Sequence, residues 1–139
     1  MTSRRRVLFV CTGNRARSQM AEGLLRDLSG DRFEVYSAGT IPSGISEYTI
    51  KAMREIGIDA SGQRSKSVDE FAGQEFDYVI TVCDSARQVC PVFPAEGERL
   101  HWDVEDPSDI ETRGIPLADA FRIARDELQK RIELFVNEH

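Results

Sequence analysis

The sequence predicts an α/β fold: a single domain over residues 1–139, with a four-stranded parallel sheet and helices on both faces. Three observations lead there. Short apolar runs alternate with stretches of helical periodicity, the pattern of β-α-β units. The first run, residues 7–10, is continuously apolar, as in strands buried on both faces. No internal repeat, low-complexity tract or linker breaks the chain, and its length fits one core.

The elements follow in order. Val7, Leu8, Phe9 and Val10 form the first strand. Residues 18–28 carry Met20, Leu24, Leu25 and Leu28 on helical spacing, with Gly30 as a stop. Residues 33–36 alternate and end at Ser37-Ala38-Gly39, a second strand. A helix is predicted over 46–56, with Gly57 past its end. Residues 77–83, with Tyr78, Val79, Ile80 and Val82, make a third strand. Residues 99–102 make a fourth, where His101 and Trp102 read as packing residues. Leu117, Phe121, Ala124, Leu128, Ile132 and Phe135 mark a long amphipathic helix after Pro116.

Composition narrows the function. The chain is 40% hydrophobic and 30% charged, as a soluble globular protein is. Its formal net charge of -6 argues against general affinity for nucleic acid or an anionic membrane. A local cluster of donors can still hold a small anion. No apolar run approaches the ~18 residues of a membrane span. Arg4-Arg5-Arg6 and the apolar run after it fall short of the ~7–15 residues of a signal-peptide core. The expected location is the cytoplasm, where thiols stay reduced.

Three cysteines cannot all pair within one chain. No Cys-x-x-Cys occurs, and His101 and His139 lie at no ligand spacing from the cysteines, so no metal is expected. Reactive thiols remain, beside the plainer reading of buried small side chains. Cys11 ends the first strand, Cys83 the third, and an acidic stretch, residues 103–109, follows the fourth. Parallel sheets bind ligands at the carboxyl ends of their strands, so these features are expected to converge.

Cys11 opens the segment Cys11-Thr12-Gly13-Asn14-Arg15-Ala16-Arg17-Ser18, set between a strand and a helix. Such a loop points backbone N–H groups into a concavity, and the helix dipole adds positive potential. Arg17 can offer a planar fork to two oxygens of a tetrahedral oxyanion. The same field favours a Cys11 thiolate nucleophile. Ser18 can cap the helix or donate to that thiolate. Cys83 and Cys90 are separated by six residues. Were 84–90 helical, their Cα atoms would lie ~10 Å apart, beyond the ~4.4–6.8 Å of a disulfide. They could bond only if that segment unwound or looped. Two unconnected cysteines fit the spacing equally well. Asp106 precedes Pro107, which restricts it to extended conformations; it reads as an acid held over the loop or as an acidic surface turn.

VLFVCTGNRARSQMAEGLLR resembles the nucleophile loop of low-molecular-weight protein tyrosine phosphatases and of the arsenate reductases that share their fold. YSAG at 36–39, GIDASGQRS, TVCDSARQVCP, HWDVEDP and the final helix extend the resemblance over almost the whole chain. It implies that residues 12–18 bind an arsenate oxyanion, and that Ser37 braces the loop through Asn14, together with Ser18. It implies Asp106 as the general acid. TVC-x6-CP is similar to the redox segment of thioredoxin-coupled arsenate reductases. That similarity implies a relay in which Cys11 attacks arsenate, Cys83 attacks the adduct, and Cys90 resolves the resulting disulfide, with thioredoxin as electron donor and no bound cofactor. Arg15 and Ala16 stand where the family usually has Ser-Cys. Ser108 stands where phosphatases commonly carry an aromatic residue. The alternatives are a phosphatase of this family, a cysteine phosphocarrier, or a reductase recharged by a low-molecular-weight thiol.

Some relatives hold potassium beside this loop. Asn14, Glu22 and Ser37 match that site, but Arg64 and Lys66 replace a threonine and an aspartate. The expectation is that the ion is lost and that Lys66 either places its charge near Glu22 or points into solvent.

Overall fold

Val7, Leu8, Phe9 and Val10 are fully buried, as a continuous apolar run in a two-faced sheet requires. They form the centre of β1 (Arg5–Cys11) in a computed structural model that describes residues 4–83 and 97–139. α1 (Arg17–Ser29), β2 (Phe33–Gly39) and α2 (Glu47–Arg54) follow. A 3-10 helix (Val68–Phe71), β3 (Tyr78–Cys83), β4 (Glu98–Asp103), α3 (Pro107–Glu111) and α4 (Leu117–Glu138) complete the order. The four strands form one sheet in the order β2-β1-β3-β4, and every pair is parallel.

Side-chain alternation along β1 divides the core. Val7 and Phe9 pack with Val35, Ile80 and Trp102 beneath Met20 and Leu25 of α1 and Leu128 and Ile132 of α4. Leu8 and Val10 face the other way, onto Val79, Phe71 and Phe76, with Phe71 supplied by the 3-10 helix. Phe9 meets Trp102 at 5.7 Å between ring centroids. Truncating such a buried aromatic ring to alanine costs ~3–5 kcal/mol. Trp102 therefore packs as expected, but His101 is exposed and bonds Thr81 Oγ1 at 2.7 Å and Asp103 Oδ1 at 2.9 Å.

Helix ends follow local chemistry. Ser46 caps α2, accepting from Tyr48 N at 3.2 Å. Gly57 takes φ +82 just beyond that helix, in the left-handed region glycine enters without a Cβ penalty. Leu28, expected on the apolar face of α1, is 51% exposed, because the buried stripe runs through Met20, Ala21, Leu24 and Leu25 instead. Residues 103–109 are only partly a loop: Asp106 caps α3, with Pro107 at its first turn.

With this strand order, the chain leaves β1 toward β2 on one side and leaves β3 toward β4 on the other, so connections diverge at the carboxyl ends of β1 and β3. Ligands bind at such switch points. Cys11 ends β1 and Cys83 ends the adjacent β3, both at the carboxyl end of the sheet. Among the described residues, no helix is long and apolar enough to cross a membrane.

Candidate active site

Cys11 is buried at the end of β1, and the chain turns sharply after it. Asn14 takes φ 46, a conformation asparagine tolerates better than most residues with a Cβ. Its backbone N–H then reaches back to Cys11 Sγ at 3.1 Å. The segment after β2 holds the outside of the loop: Ile41 N donates to Thr12 O at 2.8 Å, Ser43 N to Gly13 O at 3.0 Å, and Ser46 N to Arg15 O at 3.1 Å. A trans peptide points its N–H opposite its C=O. With carbonyls engaged outside, the amides are left for the concave side, the arrangement of an anion cradle.

The inner face of the loop is a closed hydrogen-bond network. Asn14 Nδ2 donates to Ser18 Oγ at 2.8 Å and to Ser37 Oγ at 3.0 Å. Ser18 Oγ lies 2.7 Å from Cys11 Sγ. Between capping the helix and meeting the thiol, Ser18 does the second. Ala16 occupies the cap of α1 and makes no side-chain bond there. Asn14 Oδ1 accepts from Gln19 Nε2 and from Lys66 N, both at 2.9 Å. Gln19 is fully buried and is held in turn by Gln63. Sequence reasoning missed both glutamines; a polar residue in a first helical turn or in a loop carries no local signal of burial.

Arg17, at the start of α1, is 6% exposed. Its Nη1 donates to Val104 O at 2.9 Å, and its Nη2 lies 3.2 Å from Asp106 Oδ2. The other oxygen of Asp106 accepts from Ser108 N at 2.9 Å. The structure thus brings Cys11, Arg17 and Asp106 to one pocket of about 270 Å³. Loop residues Thr12, Gly13, Arg15 and Ala16 also line it, together with Ser43, Ser108 and Phe121. Arg15 is exposed at the rim and donates to Ser43 O at 3.4 Å. Cys83 is fully buried on the neighbouring strand. Cys90 lies outside the described residues.

Glu22, 4% exposed, sits behind the loop. Its Oε1 accepts from Ser37 Oγ at 2.6 Å and lies 3.6 Å from Lys66 Nζ, while Oε2 takes Arg26 at 2.9 Å. Lys66 points inward, and its Nζ also donates to Arg64 O at 2.8 Å. Burial lowers the pKa of this lysine, an effect the nearby Glu22 carboxylate opposes. These residues do not fit a potassium ion. An ammonium already stands against the buried carboxylate, and a second cation would repel it.

The pocket has parts that suit a covalent reaction at a tetrahedral oxyanion: a sulfur nucleophile, a guanidinium, backbone amides and a carboxyl group. Residues 6–138 match the family described as low molecular weight phosphotyrosine protein phosphatase. An arsenate reductase of Halalkalibacterium halodurans is 45% identical over 129 residues, 93% of each chain. A solved arsenate reductase in a phosphate-binding state aligns with a TM-score of 0.78 at 33% identity, covering 96% of this chain and 98% of that one. A thioredoxin-dependent arsenate reductase of Corynebacterium glutamicum aligns at 0.63 and 31%, covering 96% of this chain and 64% of that one. A domain matched over nearly its whole length, with the cysteine loop at the switch point of the sheet, belongs to the low molecular weight phosphotyrosine protein phosphatase family.

Proposed function

We propose that the chain is a cytoplasmic arsenate reductase that works by a three-cysteine relay and draws its electrons from thioredoxin, in arsenic detoxification. The observation that carries the reading is the set around Cys11 Sγ: Ser18 Oγ at 2.7 Å, Asn14 N at 3.1 Å, and a pocket shared with Arg17 and Asp106. Thioredoxin coupling draws support from the similarity to the Corynebacterium glutamicum enzyme and from the Cys83 and Cys90 pair.

In this reading the Cys11 thiolate attacks arsenic while Asp106 protonates the departing oxygen, which leaves as water. Arg17 and the loop amides hold the remaining oxygens. The Cys83 thiolate then attacks Cys11 Sγ. A sulfur–sulfur bond forms, the sulfur–arsenic pair returns to arsenic, and arsenic(V) leaves as arsenite. The Cys90 thiolate attacks Cys83, frees Cys11 and leaves a disulfide between residues 83 and 90. Thioredoxin's dithiol reduces that disulfide, balancing the two electrons given to arsenic.

The test is arsenate-dependent NADPH oxidation with thioredoxin and thioredoxin reductase, set against hydrolysis of p-nitrophenyl phosphate. Rapid ester hydrolysis without arsenate-dependent oxidation would make the protein a phosphatase. Turnover supported by a low-molecular-weight thiol but not by thioredoxin would replace the electron donor.

A further inference from the structure

The network behind the loop has a direction, and Glu22 sets it. A carboxylate only accepts hydrogen bonds. Ser37 must therefore donate to Glu22, which leaves Ser37 Oγ to accept from Asn14 Nδ2. The Asn14 amide cannot reverse, because Gln19 and the Lys66 amide both donate to its Oδ1. Its two Nδ2 hydrogens go to Ser37 and Ser18. Ser18 Oγ, having accepted from Asn14, keeps its own hydrogen for Cys11 Sγ. Each bond in such a chain polarises the next.

Two cations face Glu22. The Arg26 side chain is 50% exposed and screened by water, whereas that of Lys66 is 10% exposed. Around Lys66 itself, Arg64 and Glu70 are the other charged groups, and they pair with each other at 2.8 Å. Arg17 and the exposed Arg15 share the pocket with Cys11, and Asp106 lies beyond Arg17.

We propose that Lys66 is a positioning residue of the nucleophile loop: its buried ammonium, 3.6 Å from Glu22 Oε1, holds Glu22 as the acceptor end of this chain and so keeps Ser18 a donor to the Cys11 sulfur. The inference rests on Cys11 being the nucleophile of the proposed function, and its readout needs no arsenate.

The experiment follows the rate at which iodoacetamide alkylates Cys11 in the reduced protein from pH 5 to 9, read by mass spectrometry of the Cys11 peptide. In Lys66→Met the pH midpoint should rise by about one unit, so that alkylation is roughly tenfold slower at the acidic end. Lys66→Arg keeps the charge and should keep the wild-type profile. Lys66→Ala opens space beside Glu22 toward a cleft of about 680 Å³ that both residues line. Potassium or methylammonium should restore much of its lost rate, and neither ion should change the wild type at matched ionic strength.

A Lys66→Met profile that superimposes on the wild type overturns the proposal, whatever happens to thermal stability. So does a Lys66→Ala profile that neither cation moves, because that assigns the effect to packing. Were the lysine variants not to fold, several-fold activation of the wild type by potassium would still overturn it. A shifted Cys11 profile without arsenate turnover would remove the proposed function and leave the role of Lys66 standing. Turnover with an unshifted profile would do the reverse.

Discussion

Asn14 is the residue on which the loop turns, and its removal is expected to be costly. Asn14→Ala deletes four side-chain hydrogen bonds, to Ser18, Ser37, Gln19 and the Lys66 amide. Gln19 Nε2 retains the carbonyls of Asn14 and Arg64. The Lys66 N–H loses its acceptor, a penalty of ~1–3 kcal/mol for a donor shielded from water. The oxygens of Ser18 and Ser37 each lose a donor, about 1 kcal/mol apiece. Alanine at φ 46 adds ~1–2 kcal/mol of left-handed strain. The expected loss is about 5 kcal/mol, a large share of the ~5–15 kcal/mol that stabilises a typical domain. Asn14→Gly removes the same bonds without the strain and should be more stable than Asn14→Ala by ~1–2 kcal/mol. Equilibrium urea unfolding of the reduced proteins measures both, provided the slopes agree. If Asn14→Gly lay within 0.5 kcal/mol of the wild type (an order-of-magnitude threshold at the low edge of one net hydrogen bond, ~0.5–1.5 kcal/mol), the network argument would be refuted. Equal stabilities for the two variants would refute the strain argument.

Cys11→Ser should abolish arsenate reduction and any ester hydrolysis, whereas Cys83→Ser and Cys90→Ser should end thioredoxin-coupled turnover alone; wild-type turnover by Cys90→Ser would break the relay. Asp106→Asn should slow the first chemical step by ~10²–10⁴-fold while changing oxyanion affinity little, as single-turnover kinetics and phosphate inhibition would show. Acid stability should register Glu55, whose carboxyl the hydrogen bonds from Arg122, then Arg125, hold at about 2 rather than 4.5. Because the folded value is depressed, this stabilisation is present above pH ~4.5 and disappears as pH falls toward ~2. Glu55→Gln should therefore melt below the wild type at pH 6, and the gap should close by pH 2.

The strands and long helices were legible because burial writes itself into apolar spacing, as residues 7–10 and the Leu128 to Phe135 stripe show. β2 was read too short. Its last residues, Ser37-Ala38-Gly39, look like a turn, yet Ser37 is buried and its hydroxyl is satisfied by Asn14 and Glu22. α3 was not foreseen, its start being read within an acidic stretch or surface turn, although Asp-Pro is a helix-start pair; five residues give no periodicity to detect. At the site, the order of residues 11–18 was enough to find the loop, because its chemistry is contiguous. Gln19 and Gln63 escaped, since their importance comes from what lies across the fold. Lys66 was left between two orientations, and only tertiary packing turns it inward.

Gly39 ends β2 beside Cys11, where an added Cβ would lie 2.5 Å from Thr12 O and 2.8 Å from Asn14 N. The second strand is thus a mould against which the root of the loop is cast, and the mould works only while that position is bare. Arg15, at the rim, is held through its backbone carbonyl by Ser46 N and Thr49 Oγ1, while its side chain is exposed to water. The loop therefore has a backbone whose shape is imposed by its neighbours and, at position 15, a side chain free to change its chemistry. An unusual arginine can enter at 15 without moving the sulfur, so charge at the rim can drift while the geometry around Cys11 stays fixed at the root.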